Sequence, residues 1–148
     1  MIHAQGNKIT NFFPPQAIGT TAVSGVIDTV GWDYLTVVTN LAAVTTATTI
    51  TALAITEGHT TAAADAITAL TGGTNTGNFT IPVGKGTATT NTGTVTVFQI
   101  DLKKRKRYLK LSATLSHSSV FTAEAILSRG EEAANTDAKA GADDVVVV

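Results

Sequence analysis

The stretch Val95-Thr96-Val97-Phe98-Gln99-Ile100-Asp101-Leu102, the basic run Lys103-Lys104-Arg105-Lys106-Arg107 and the return Tyr108-Leu109-Lys110-Leu111-Ser112-Ala113-Thr114-Leu115 decide how this chain reads. Leu109, Leu111, Ala113 and Leu115 recur at strict period two, the mark of a strand with one buried face. In the leading run, Val95, Val97, Ile100 and Leu102 are the apolar positions. Their phase slips by one residue between Val97 and Phe98, which predicts a β-bulge that reverses the face presented by Phe98 and Ile100. The two runs are expected to form a hairpin with a charged tip. A third run, Val120–Leu127, places Phe121, Ala123, Ala125 and Leu127 on one face after a polar turn at Ser116–Ser119. With it the hairpin becomes a three-stranded meander, the expected core of an antiparallel sheet.

The composition agrees with strands. The chain has 148 residues, enough for one domain with a continuous core. It is rich in Thr, Ala and Val and punctuated by glycine, and β-branched side chains suit a pleated surface. Charged residues are only 14% and aromatic residues 5%, a surface short of charge that suits a protein packed against others. Net charge is −1 and argues against a general polyanion binder, although six of the ten basic residues lie between Lys103 and Lys110. With no cysteine, neither a disulfide framework nor a thiolate metal site is available. The first residues lack the basic and apolar regions of a secretory signal, and no apolar run approaches membrane-spanning length. The reading is a chain that works in aqueous surroundings, without a membrane.

Residues 1–18 read as an extended arm. Ile9, Phe12 and Phe13 form a small apolar knot before Pro14-Pro15, which disfavours helix and cannot donate to a ladder. The two Phe residues either dock on their own domain or reach a neighbouring subunit. Residues 19–129 read as a sandwich domain. One strand falls within Thr20–Val30, Gly31-Trp32-Asp33 turns, and Tyr34–Asn40 follows with Leu35 and Val37 on one face. Trp32 reads as a cap on the core in preference to a ligand-stacking ring. Ile50–Glu57 is a further strand with Leu53 and Ile55 buried. Thr61–Leu70 has the one helical look, since Ala63, Ala66, Ile67 and Leu70 can share a helix face. Gly72–Gly77 reads as a turn, Phe79–Val83 as an edge strand broken by Pro82, and Lys85–Thr94 as a loop. Residues 130–148 form a polar tail tipped by Val145, Val146, Val147 and Val148. Left free, those valines would be a β-prone edge, so they are expected to pair, at home or with another copy.

No catalytic or cofactor signature accompanies this pattern: there is no nucleophile elbow, no H-E-x-x-H and no P-loop. Gly84-Lys85-Gly86 lacks the Lys-Ser/Thr pair of a phosphate loop. His3, His59 and His117 are scattered and read as surface or cap residues. The reading is a non-enzymatic chain with no cofactor and no metal. Lys103, Lys104, Arg105, Lys106 and Arg107 read as a solvated tip or an acidic-partner contact before a nucleic-acid site, since Tyr108 is the one aromatic residue beside them.

Several segments together resemble small structural proteins of tailed bacteriophages. They are Gly31-Trp32-Asp33-Tyr34-Leu35-Thr36-Val37-Val38, Leu53-Ala54-Ile55-Thr56-Glu57, Phe98-Gln99-Ile100-Asp101-Leu102 running into Arg105-Lys106-Arg107-Tyr108-Leu109-Lys110-Leu111, and Ala125-Ile126-Leu127-Ser128-Arg129-Gly130-Glu131-Glu132-Ala133. The resemblance spans roughly residues 20–135. It implies a capsid decoration, or cement, protein on the capsid exterior of a virion, made in the bacterial host cytoplasm, whose partners are the major capsid protein and other copies of itself, as a trimer before a dimer. The alternatives are a tail or baseplate module and, from another class, a carbohydrate-binding sandwich, for which one Trp and two Tyr are few. The expected fold is an all-β, antiparallel, jelly-roll-like sandwich of seven to nine short strands between about Thr20 and Arg129. The residues expected to contact other proteins are Ile9, Phe12, Phe13, the basic run Lys103–Arg107 and the valines Val145–Val148.

Overall fold

The computed structural model describes residues 7–44, 46–74, 79–81, 87–88, 93–129 and 144–147. Among them run eleven strands and no helix: β1 (Asn7–Ile18), β2 (Val23–Asp28), β3 (Tyr34–Leu41), β4 (Thr48–Gly58), β5 (Asp65–Thr74), β6 (Phe79–Ile81), β7 (Thr87–Ala88), β8 (Thr94–Asp101), β9 (Tyr108–Leu115), β10 (Ser119–Ser128) and β11 (Asp144–Val147). They form two sheets. One has the order β1-β10-β3-β8-β11, the other β2-β9-β4-β5-β6, with β7 attached to β4.

The pairing is that of a long hairpin rolled up on itself. β1 pairs with β10, β2 with β9, β3 with β8 and β4 with β5, all antiparallel, so strands far apart in sequence lie side by side. Eight strands nested in this way and split between two sheets make a jelly roll. Two short strands add to it in parallel, β11 beside β8 and β6 beside β5.

Alternation fixes the inner faces as the sequence suggests. Leu35 and Val37 on β3, Leu53 and Ile55 on β4, Leu109, Leu111, Ala113 and Leu115 on β9, and Phe121, Ala123, Ala125 and Leu127 on β10 are all buried in one core. Trp32 packs against its margin.

The expected hairpin and meander do not form. β8 lies in one sheet between β3 and β11, β9 in the other between β2 and β4, and β10 returns to the first sheet. Period-two alternation specifies which face of a strand is buried and leaves its partner open. The basic run is therefore a corner between sheets. The expected bulge in β8 is absent too, because its register with β3 runs unbroken from Leu41↔Thr94 to Tyr34↔Asp101. The true inward set is Thr94, Thr96, Phe98 and Ile100. Two threonines sit where an apolar reading finds nothing, and Val97, although buried, lies outside the core cluster.

Asp65–Thr74 is strand β5 and not a helix. Ile67 and Leu70 are still buried, but they fill the sandwich from a ladder with β4 that shifts register between Ala54 and Thr56. That shift lets positions three apart both reach the core. The glycines expected to turn, Gly72 and Gly73, belong to the same strand and pair with Phe79 and Thr80.

Residues 7–18 are not a separate arm. They form edge strand β1, whose ladder with β10 shifts between Asn11 and Phe13 and again between Phe13 and Gln16. The first shift allows two successive residues, Phe12 and Phe13, to be buried together. Pro14 and Pro15 occupy the second, where no ladder donor is required. Where β1 crosses β2, Gly25 brings the backbones into contact: a Cβ there would lie 1.7 Å from the Phe12 carbonyl oxygen. A glycine is thus what closes this side of the sandwich.

Candidate interaction surface

The corner between β8 and β9 and the loops beside it make up one end of the sandwich. Three connections meet there: β2 to β3, β4 to β5, and β8 to β9. Backbone hydrogen bonds join the first and the last. Leu102 N donates to Asp33 O at 2.8 Å and Thr29 N to Arg107 O at 2.9 Å. Gly31 takes φ +83, a left-handed value that glycine adopts without strain, at the β2–β3 turn.

The basic run is held by acidic side chains at the ends of the neighbouring strands. Arg107 makes a two-pronged pair with Asp28, Nη2 to Oδ2 at 2.7 Å and Nε to Oδ1 at 3.1 Å. Lys106 Nζ donates to Asp65 Oδ2 at 2.8 Å, and its backbone N–H donates to Glu57 Oε2 at 3.0 Å. Asp101 Oδ1 accepts from Lys103 N at 2.9 Å and holds the start of the corner. Lys110 Nζ reaches the Ala62 carbonyl at 2.8 Å. The electrostatics follow. Hydrogen bonding to Arg107 and then to the Val30 backbone holds the Asp28 carboxyl below its ordinary range. Lys106 does the same for Asp65, and Asp65 in turn raises Lys106. Lys103 is raised first by its hydrogen bond to the Tyr34 hydroxyl.

The sole Trp and both Tyr residues of the chain converge on this end, each with a cation over its ring. Lys103 Nζ is 5.3 Å from the Tyr34 centroid, Arg107 Cζ 4.9 Å from Tyr108 and Arg129 Cζ 5.6 Å from Trp32. Arg129 Nε also donates to Gly31 O at 2.8 Å. Such stacks and ion pairs restrict the long side chains they join. Two cations of the corner are less engaged. Lys104 is exposed, and Arg105 Nε is buried without a hydrogen-bond partner among the described residues. Val30 adds an apolar tip, 62% exposed.

The structure thus gathers Lys103–Arg107 with Trp32, Tyr34 and Tyr108, a convergence that sequence reasoning missed because the jelly-roll pairing creates it. It does not bring the other expected contact residues there. Phe12 and Phe13 serve their own core, Phe13 stacking at 5.9 Å on Phe121. Their burial leaves them unavailable to a neighbour in this fold. Ile9 alone of the knot stays outside, 71% exposed. Val145–Val147 pair at home along Val97–Gln99, and Val148 lies outside the described residues. So do His3, Gly84-Lys85-Gly86 and the polar segment 130–143. Among the described residues no three His, Cys, Asp or Glu side chains are grouped as a metal site.

No family model, no curated protein and no solved structure matches this chain.

Proposed function

We propose that this chain is a non-enzymatic structural protein of a tailed-phage virion, which binds the outside of the assembled capsid and reinforces it as a cement protein. The observation that carries the reading is the loop end of the jelly roll. It collects the Trp and both Tyr residues, braces them with cations and keeps Val30 exposed. Trp, Tyr and Arg are the residue types that dominate protein–protein contacts, and rigid presentation lowers the cost of docking. Exposed Lys104 leaves its ammonium group for the carboxylates or carbonyls of a partner. The resemblance to small phage structural proteins supplies the capsid exterior as the place and the major capsid protein as the partner. Other copies of the chain, as a trimer before a dimer, come from the same resemblance.

The test is an electron cryomicroscopy map of the purified particle together with the copy number of the chain. A cement protein approaches the abundance of the major capsid protein and contacts it through the Trp32 end. A few copies confined to the tail would replace the reading with a tail or baseplate module.

The same convergence of rings favours a second reading, a carbohydrate-binding sandwich. Sugar stacking requires a bare ring face, and here each ring already carries a cation on one side. Binding on a glycan array that is lost on Tyr34→Ala would support this alternative. Nucleic acid is disfavoured because Asp28, Glu57 and Asp65 already occupy donors of Arg107 and Lys106. Salt-dependent DNA binding is not expected.

A further inference from the structure

Strand β8 has β3 on one side and β11 alone on the other, so β11 is what keeps the second row of β8 donors and acceptors from standing at the rim of the sheet. The neighbour it has is β11, four residues long, aligned Asp144↔Thr96 to Val147↔Gln99. Bare, that row of β8 donors and acceptors would be a template for any strand that arrives. The ladder requires a strand of this sequence but nothing in it requires the strand of the same molecule.

The connection leaves the donor's identity open. Fifteen residues, 129–143, separate β10 from β11. Ser128 lies level with Tyr34 and so with Asp101, while Asp144 lies level with Thr96. The gap is three strand spacings across and five residues along, a straight line of roughly 22 Å. Fifteen residues extend to about 50 Å. After Arg129 the connection, Gly130 to Asp143, contains no Val, Ile, Leu, Met or aromatic residue.

From the single strand that covers this side of β8 and this surplus of reach we infer that β11 is an exchangeable strand: where copies are held side by side, the Asp144–Val147 segment of one inserts beside β8 of the next. The exchanged pair makes the same ladder as the closed one, so the two states differ little in contact energy. In dilute solution the tethered strand wins, because attachment through a connection of this length gives it an effective concentration on the order of mM at its own β8. On a crowded lattice neighbouring β8 edges compete on equal terms, and each exchange links two docked copies without a new interface. The inference concerns copies of the chain with one another, does not depend on the capsid reading and is tested without a capsid.

The absence of cysteine makes the test clean. Full-length Val97→Cys protein is mixed with full-length Val145→Cys protein, positions opposite each other in the ladder, and oxidised across a concentration series reaching about 1 mM. Exchange predicts a mixed disulfide that rises with concentration to several-fold above a control mixture of Val97→Cys with Ser118→Cys, whose thiol lies in the exposed β9–β10 turn. The pair Gln99→Cys and Val147→Cys, one register step on, repeats the measurement should Val97→Cys disturb the fold. Mixed disulfides at control level for both pairs at the highest concentration would overturn the inference.

Discussion

Gly25 sits where the edge strands of the two sheets cross, and any side chain there must displace the Phe12 carbonyl. Because the obstacle is backbone, no rotamer relieves it. Gly25→Ala is expected to cost about 3 kcal/mol, the upper end for overpacking, in urea unfolding. Gly19 is the matched control: its added Cβ would meet Ser118 at 3.7 Å, an ordinary contact, so Gly19→Ala should stay within about 0.5 kcal/mol of the parent. The ion pairs at the loop end make a second prediction at this scale. Asp28 and Asp65 are held below the usual carboxylate range by Arg107 and Lys106. Their contribution is fully present above the unfolded value of about 3.9, and is lost as pH falls through the depressed folded values. Lys106 has the opposite sign: its raised value gives stability present below the unfolded value of about 10.4 and lost as pH rises through the folded one. An Asp28→Asn, Asp65→Asn double variant should show a shallower loss of stability between pH 4 and pH 2 than the parent. An unchanged acid limb would mean the pairs contribute nothing.

For strands, the sequence carries face and lacks partner. Leu109 to Leu115 and Phe121 to Leu127 alternate so regularly that their buried sides are legible at once, and both are buried as read. Which sheet each joins is set by closure of the roll, with partners such as Asn7↔Ser128 near opposite ends of the chain; no local pattern encodes that. The structure departs from the local pattern where a local rule has a competitor. Alanine-rich Thr61–Leu70 suits a helix by propensity, yet the open edge of β4 offers a ladder and the core accepts Ile67 and Leu70 from a strand. In β8, Thr94 and Thr96 take inward positions because a β-branched side chain fits the pleat whether or not it is apolar. The β5 assignment makes its own prediction. Leu70 is fully buried, so Leu70→Ala should cost about 2–5 kcal/mol in chemical denaturation, whereas exposed Ala66, opposite Thr56, should favour a β-branched residue. Ala66→Val that lowered stability and removed a helical circular-dichroism signal would contradict the strand.

The whole molecule has two unlike ends. The β9–β10 turn at one end carries Ser116, His117 and Ser118, with Ser116 Oγ accepting from Thr49 N at 2.9 Å. Among the described residues the other end carries eight cationic side chains (Lys8, Lys103–Arg107, Lys110 and Arg129) against five carboxylates (Asp28, Asp33, Glu57, Asp65 and Asp101), on a chain of net charge −1. Part of this site was legible, since the basic run is contiguous. The aromatic part was not, because Trp32, Tyr34 and Tyr108 meet only after β3 and β9 take their places in opposite sheets. If this face docks on a capsid, its open positions carry the affinity. Val30 is an exposed apolar tip and Lys104 an exposed cation, and neither supports the core, so both can be changed without unfolding the protein. Val30→Asp and Lys104→Glu together should weaken co-sedimentation with capsids lacking the chain by at least about tenfold, or about 1.4 kcal/mol. The unfolding midpoint should stay within error of the parent. A change at the opposite end, His117→Ala, should leave binding intact. Equal binding by all three proteins would move the docking surface elsewhere on the sandwich, with the exposed Ile9 face of β1 the next to test.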